Sequence, residues 1–296
     1  MSNHIKYLLG IDGGGTKTEF LLTDSSGNEL KRLFLGGTNP VNRGIENTFT
    51  VLNEGITKIC NDLNFDETSV FAGIAGSKTS DYQKLICDFL ADFSFASYNC
   101  GSDIDLALEA ALNGEDGTAV IMGTGIVAYA RSGKKLYRTG GRGYMIDKGG
   151  SGFHFGSDAL NSAFEYIDGR GGSKTIHSLI EKKLEKKLEN SVAEIYNVGA
   201  SFVASFAPVV FEAYELGEDT AKKIIERNAY EAAKIINAAK KNTDGKTVIC
   251  GGLCKQKETL YPFLKKYIEG ETTLIFLDEP MVSGAVSLAK RMCKNA

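Results

Sequence analysis

Apolar positions along the chain follow two rhythms. Short apolar runs at residues 5–11, 19–23 and 29–35 are separated by a glycine-rich stretch and by the turn Asp24-Ser25-Ser26-Gly27-Asn28. Apolar runs bounded by turn residues predict strands, here three joined as an antiparallel meander. Ile45, Phe49, Leu52, Ile56, Ile59 and Leu63 then fall at helical spacing and predict one helix over residues 42–63. A buried-type strand at 70–75, a helix at 82–93, a short strand at 95–99 and a helix at 105–112 follow. Asn113-Gly114 is a stop signal for the last of these.

The pattern then restarts. Strands are predicted at 118–122, 126–130 and 135–139, with Gly123-Thr124-Gly125 after the first and Ser132-Gly133-Lys134 after the second. The order of strand, glycine hairpin, strand, polar turn, strand thus occurs twice, the rhythm of a duplicated domain. Helices are expected at 153–168, 173–188, 191–216 and 218–241, a strand at 247–250, a helix at 257–268, a strand at 273–277 and a helix at 281–293. Strands alternating with helices in this way give an α/β fold with mixed sheets. The polar stretch at 113–117 is the natural boundary, giving domains at 1–114 and 115–280, with the final segment 281–296 packed on the first.

Composition narrows the classes of function. A length of 296 residues suits two cores of ordinary size. A net charge of −3 offers no field for nucleic acid or an anionic membrane. No run approaches the ~18 apolar residues of a membrane span, and no secretory signal is read at the start. The six cysteines show no CxxC pair, and His4, His154 and His177 do not cluster. A disulfide framework, a zinc site and a serine–histidine triad are therefore not expected. A cytoplasmic enzyme with reduced thiols is the expectation.

The chemistry lies in the glycine-rich turns. Asp12-Gly13-Gly14-Gly15-Thr16-Lys17-Thr18 sits between two strands, whereas a Walker loop or a Rossmann fingerprint would feed a helix. Glycines in a hairpin let backbone amides approach an anion closely. Thr16 can add a hydroxyl, Lys17 a cation, and Asp12 is placed to hold hydrated Mg²⁺ beside the phosphates. Gly123-Thr124-Gly125 reads as a second phosphate clamp. Gly251-Gly252-Leu253, where a strand runs into a turn, can accept an adenosine against bare backbone.

These three elements resemble the phosphate 1, phosphate 2 and adenosine elements of the actin/hexokinase/Hsp70 superfamily. The form Gly10-Ile11-Asp12-Gly13-Gly14-Gly15-Thr16-Lys17-Thr18 resembles its N-acetylglucosamine kinase-like branch, grouped with the BadF/BadG/BcrA/BcrD ATPases. The resemblance implies two actin-like (ribonuclease H-like) domains around a central cleft. It also implies ATP-dependent phosphorylation of a hydroxyl, the 6-position, of an N-acetylated amino sugar in cell-wall or amino-sugar salvage, with Mg²⁺ and in a homodimer.

Site residues carry over position by position. In sugar kinases of this fold, an aspartate after the strand and at the helix start takes the proton from the acceptor. The match is Asp103, with Asp105 a first-turn carboxylate and helix capping the plainer role for Asp103. Asn39 matches an asparagine that bonds sugar hydroxyls, and Asn42 is read as the cap of the next helix. The loop Gly140 to Gly152 has six glycines in thirteen residues, and its Gly141, Arg142, Gly143 and Tyr144 are read as backing the sugar. Relatives usually read Gly-Asp-Glu-Gly-Ser here, whereas this chain has Asp147-Lys148-Gly149-Gly150-Ser151. With Arg142 near, Lys148 would favour an anionic substituent such as a lactyl carboxylate, by an attraction on the order of 1–4 kcal/mol.

Other classes fit less well. A glucosamine or hexose kinase would share the chemistry and differ only in the pocket. ATPase activators of CoA-ester dehydratases or reductases carry a cysteine at the second hairpin, where this chain has Ile121 and Met122. A sugar-responsive regulator would add a basic helix-turn-helix segment, for which a first strand at Ile5 leaves no room.

Overall fold

A computed structural model describes residues 5–277 and 279–295. The chain divides into two compact units, one of Met1–Gly114 with Glu279–Ala296 and one of Glu115–Asp278.

In unit 1, β1 (Tyr7–Gly13), β2 (Lys17–Asp24) and β3 (Glu29–Gly36) form the antiparallel meander. Helices α1 (Pro40–Arg43) and α2 (Ile45–Ile59), strand β4 (Thr68–Ile74), α3 (Tyr82–Ala91), β5 (Ser97–Gly101) and α4 (Asp103–Leu112) follow. The sheet order is β3-β2-β1-β4-β5, with β4 parallel to β1 and β5 parallel to β4. Every residue of β4 is buried, as a parallel strand covered on both faces requires.

Strand alternation sends Leu9, Ile11, Phe20 and Leu22 into a core with Leu52, Ile56 and Ile86, and Leu8, Leu21 and Phe71 into a second core on the opposite face. The second core is closed by Leu106 of α4 and by Val282, Ala285 and Val286 of the C-terminal helix α12 (Val282–Asn295). That helix lies directly on β1, where a Cβ on Gly10 would come within 2.8 Å of Val286 Cγ2 and 2.9 Å of the Val282 carbonyl.

Unit 2 repeats the plan. Strands β6 (Gly117–Met122), β7 (Ile126–Ser132) and β8 (Lys135–Gly140) form a second meander. Helices α5 (Gly152–Ile167), α6 (Lys174–Leu184), α7 (Val192–Val198), α8 (Ala200–Ala204), α9 (Ala207–Glu215) and α10 (Asp219–Lys240) precede β9 (Lys246–Cys250), α11 (Lys257–Lys265) and β10 (Leu274–Phe276). The order β10-β9-β6-β7-β8 mirrors that of unit 1, and β9 and β10 are likewise parallel to the first strand. Two five-stranded mixed sheets of one topology make this an α/β fold of the actin-like type.

Two helix expectations are corrected. The segment 42–63 is divided at Gly44, which adopts φ +80°, and its helix ends at Ile59. The segment 191–216 is three helices after a 3₁₀ turn, because Gly199 adopts φ +84° and Pro208 starts a new helix, lacking the N–H needed to continue one. Among the described residues, no helix is long and apolar enough to cross a membrane.

Candidate active site

The first glycine hairpin is built by the register of β1 and β2, with Gly13 opposite Thr18 and the Gly14 N–H closing on the Lys17 carbonyl at 2.9 Å. The loop after β3 holds its carbonyls. The Thr38 and Asn39 N–H groups donate to the Gly14 carbonyl at 3.0 and 3.2 Å, and Arg43 Nε donates to the Gly15 carbonyl at 3.3 Å. Buried Thr18 ties this loop from beneath through the Gly36 carbonyl at 2.7 Å and Thr38 Oγ1 at 3.0 Å. With the carbonyls engaged, the N–H groups of Gly15 and Thr16 donate to no acceptor among the described residues. Two adjacent amides without an acceptor can serve an anion. Lys17 directs its ammonium over the Phe34 ring, 5.3 Å from its centroid.

Asp12 lies at the root of this hairpin, with Glu19 opposite it on β2. Burial first, then the negative charges of Glu19 and Asp103, push its pKa up to about 6, while Lys17 pulls the other way. Such a carboxylate gains most from a cation. Among the described residues no group of three or more His, Cys, Asp or Glu side chains could cage a metal. Mg²⁺ retains most of its waters and needs only one or two carboxylates when phosphates complete its shell, so Asp12 fits a hydrated ion brought in with a nucleotide.

Asp103 opens α4, but the cap of that helix is Ser102. Ser102 and Asp105 form a capping box, the Ser102 N–H donating to Asp105 Oδ2 at 2.8 Å, and Lys78 pairs with Asp105 Oδ1 at 2.9 Å. The capping duty open to Asp103 in the sequence is therefore taken by its neighbours, and its carboxylate stays open to solvent on one side. Protein packed around it raises its pKa, with Asp105 adding to the rise. The Ile104 and Asp103 backbone N–H groups and Lys78 oppose it.

The cap expected of Asn42 is supplied by Asn39. Asn39 caps α1, its Oδ1 accepting from the Val41 N–H at 2.9 Å, and Asn42 lies inside that helix. The Asn39 carbonyl oxygen is thus occupied, and its amide donors are what it can offer a sugar.

In unit 2, Met122 opposite Ile126 closes the second hairpin, and the Gly123 N–H donates to the Gly125 carbonyl at 2.9 Å. The first turn of α5 locks it. The Gly152 and Phe153 N–H groups donate to the Gly123 and Thr124 carbonyls at 2.7 and 3.1 Å. Thr124 and Gly125 are exposed, and their N–H groups donate to no acceptor among the described residues, as in unit 1. Beside this hairpin lies a cavity of about 290 Å³, lined by Gly123, Thr124, Gly252, Leu253, Ser201, Ser205, Pro208, Lys255 and Gln256. It is of the size and composition of a small-molecule site, apolar with a few polar groups. Ser201, Ser205, Lys255 and Gln256 were not singled out from the sequence. Ser201 and Ser205 come to the cavity because the segment 191–216 breaks, and Gly199 and Pro208 are the local signals of that break.

Gly251 immediately precedes Gly252 and Leu253, which line the cavity. It adopts φ +103°, and a Cβ there would meet the Met122 carbonyl oxygen at 2.7 Å and its carbon at 2.9 Å. Gly251→Ala is expected to cost about 1–3 kcal/mol of stability through this strain. Around Gly252 a Cβ meets nothing within 4 Å, so Gly252→Ala should leave the melting temperature unchanged and, if the cavity is a nucleotide site, alter only ATP affinity. Thermal unfolding and calorimetric titration with ATP check both.

The glycine-rich loop has a fixed end and an exposed end. Gly150 N–H donates to the buried Asn228 Oδ1 at 2.9 Å, and Gly149 packs on Glu231. His154, buried at 8% exposure, lies 2.6 Å from Ser151 Oγ through Nδ1 and 2.7 Å from the Asp147 carbonyl through Nε2. It acts as the brace of the loop, a role its isolation in the sequence hid. Asp147 Oδ2 accepts from the Arg142 and Gly143 N–H groups at 2.8 and 3.1 Å, so that oxygen folds the loop upon itself. Gly141, beside the Arg138 guanidinium, begins this exposed end. Tyr144 packs on Phe153 with ring centroids 4.3 Å apart and planes tilted by 35°. Arg142 and Lys148 are exposed, and Lys148 borders a recess with Glu231 and Lys234.

Comparison with known proteins adds the relatives. The model of the BadF/BadG/BcrA/BcrD ATPase family matches residues 9–286. The chain is 27% identical to an N-acetylmuramic acid/N-acetylglucosamine kinase of Clostridium acetobutylicum, over 98% of this chain and 100% of that protein. It is 28% identical to an N-acetyl-D-glucosamine kinase of Dictyostelium discoideum, over 88% and 89%. Among solved structures, a candidate N-acetylglucosamine kinase from Porphyromonas gingivalis superposes with a TM-score of 0.78 at 17% identity, covering 97% of this chain and 99% of that one.

Proposed function

The chain belongs to the BadF/BadG/BcrA/BcrD ATPase family, and from that premise we propose that it is an ATP-dependent kinase of N-acetylated amino sugars. N-acetylglucosamine and N-acetylmuramate are the substrates and the 6-hydroxyl is the acceptor. The observation that carries this reading is Asp103, a carboxylate with a raised pKa, relieved of helix capping and in the same unit as the phosphate hairpin. The named activities of the relatives support it.

In unit 2, adenosine occupies the cavity against Gly252 and Leu253, beside Gly251, and the Thr124 and Gly125 amides serve phosphate oxygens. The Gly141–Lys148 segment of that unit is read as a sugar-binding loop. In unit 1, the Gly15 and Thr16 amides serve phosphate oxygens, and Asn39 serves the sugar. Asp12 would hold a hydrated Mg²⁺, which would neutralise charge on the phosphates. Asp103 accepts the proton of the acceptor hydroxyl as its oxygen bonds to the γ-phosphorus and ADP departs. A coupled ADP-release assay with purified protein, Mg·ATP and single sugars tests the proposal. N-acetylated hexosamines should give sugar-dependent ADP, and their absence from the active set would refute it.

Lys148 carries a finer expectation. It replaces a carboxylate of relatives, and with Arg142 makes the exposed end of the loop cationic. Lys148→Glu should lower the preference for N-acetylmuramate over N-acetylglucosamine by about tenfold or more. An unchanged ratio of the two kcat/KM values would remove Lys148 from sugar selection.

A further inference from the structure

Two thiols meet behind the turn that carries Asp103. Cys100 is the fourth residue of β5, and its Sγ lies 2.8 Å from the Sγ of Cys87 on α3. The contact is anchored on both sides. Cys100 Sγ also lies 2.9 Å from the Gln83 carbonyl, one turn before Cys87, and the Gln83 amide donates to the Cys100 carbonyl at 2.9 Å. Cys100 is buried, whereas Cys87 is partly open to solvent. A pair with one accessible and one sheltered sulfur has the layout of an attacking and a resolving thiol.

The other thiols differ. Burial pushes Cys60 up to about 11 and Cys250 up to about 12, which keeps both as unreactive thiols at neutral pH. At Cys87 the hydrogen bond it shares with Cys100 is the largest influence and brings the thiol down to about 7. Geometry and acidity select the same sulfur.

We propose that Cys87 and Cys100 form a reversible thiol–disulfide site whose oxidant is a hydroperoxide. The Cys87 thiolate attacks the terminal peroxide oxygen, the O–O bond breaks, and the alcohol (water, for hydrogen peroxide) leaves with a proton. Cys87 is then a sulfenic acid. Cys100 attacks its sulfur, the S–O bond breaks, and the hydroxide leaves as water with the Cys100 proton. Two thiols thus reduce one peroxide by two electrons, and a dithiol reverses the bond by exchange. The product ties α3 to the strand that leads into Ser102 and Asp103.

The test uses the full-length reduced protein treated with hydrogen peroxide, then denatured and alkylated, and read by intact mass and peptide mapping. The expected result is loss of two hydrogens, protection of two of the six thiols, a peptide linking Cys87 to Cys100, and full reversal by dithiothreitol. Cys87→Ser should abolish the link and leave the other thiols alkylatable. Cys100→Ala should convert Cys87 to an oxygen adduct with no link. If the wild-type protein keeps all six thiols, links other cysteines, or gains oxygen at Cys87 without a link, the proposal is wrong.

Discussion

Asp103→Asn is expected to lower kcat by about 10²–10⁴-fold, the usual range for a positioned base, with ATP affinity unchanged. The change is isosteric, and the hydrogen bonds it touches at the helix start, from the Ile104 and Asp103 N–H groups, can still be accepted by the amide oxygen. Ser102 and Asp105 keep the capping box of α4, and Lys78 remains paired with Asp105. The helix start is therefore preserved and the loss falls on proton transfer. The pH profile supplies a second readout. A base must be ionised, so wild-type kcat should fall as pH drops through the raised pKa of Asp103, and this acid limb should be absent from the residual rate of the asparagine variant. Near wild-type turnover would remove Asp103 from the role of base.

Asp12→Asn should lower turnover by about 10²–10³-fold, since several kcal/mol of charge neutralisation on the phosphates would be lost. It should also make the protein more stable at pH 8. The sign follows from the raised pKa. Asp12 titrates at about 6 when folded and near its ordinary value of 3.8 when unfolded. Above pH 6 it is ionised in both states and the folded chain bears the cost of a charge near Glu19 and Asp103. Below about 3.8 it is protonated in both states and that cost disappears. Between these values the folded state loses stability as pH rises, by on the order of 3 kcal/mol. The asparagine variant carries no such charge, so its advantage in denaturant unfolding should be present at pH 8 and absent near pH 4. Lower stability of the variant at pH 8 would mean that Asp12 is held by attractive partners and is not a strained ligand awaiting a cation.

Where local chemistry decides the outcome, the sequence is a good guide. Gly13-Gly14-Gly15 and Gly123-Thr124-Gly125 are legible as hairpins because each lies between two apolar runs too short for anything but strands, and the β1–β2 and β6–β7 registers follow from that. The repeat of strand order is legible for the same reason. Competition between neighbours is not. Ser102, Asp103 and Asp105 can each serve the start of α4, and only the three-dimensional capping box shows which one is spared. Asn39 and Asn42 posed the same choice, and the Val41 N–H decided it in favour of Asn39. Contacts distant in sequence are the least legible. Asn228 holds Gly150 across 78 positions. Ser201 reaches Gln256 in one cavity only after Gly199 and Pro208 have broken a continuous helical periodicity.

The measurement that bears most directly on the central claim is sugar-dependent ADP release, with the product followed by phosphorus NMR. Purified protein with Mg·ATP is offered N-acetylglucosamine, N-acetylmuramate, glucosamine and glucose in turn. The account predicts ADP formed one for one with a sugar 6-phosphate, for the N-acetylated sugars above the others and not for Asp103→Asn. ATP hydrolysis indifferent to every sugar, or a phosphorylated sugar produced equally well by Asp103→Asn, would contradict it.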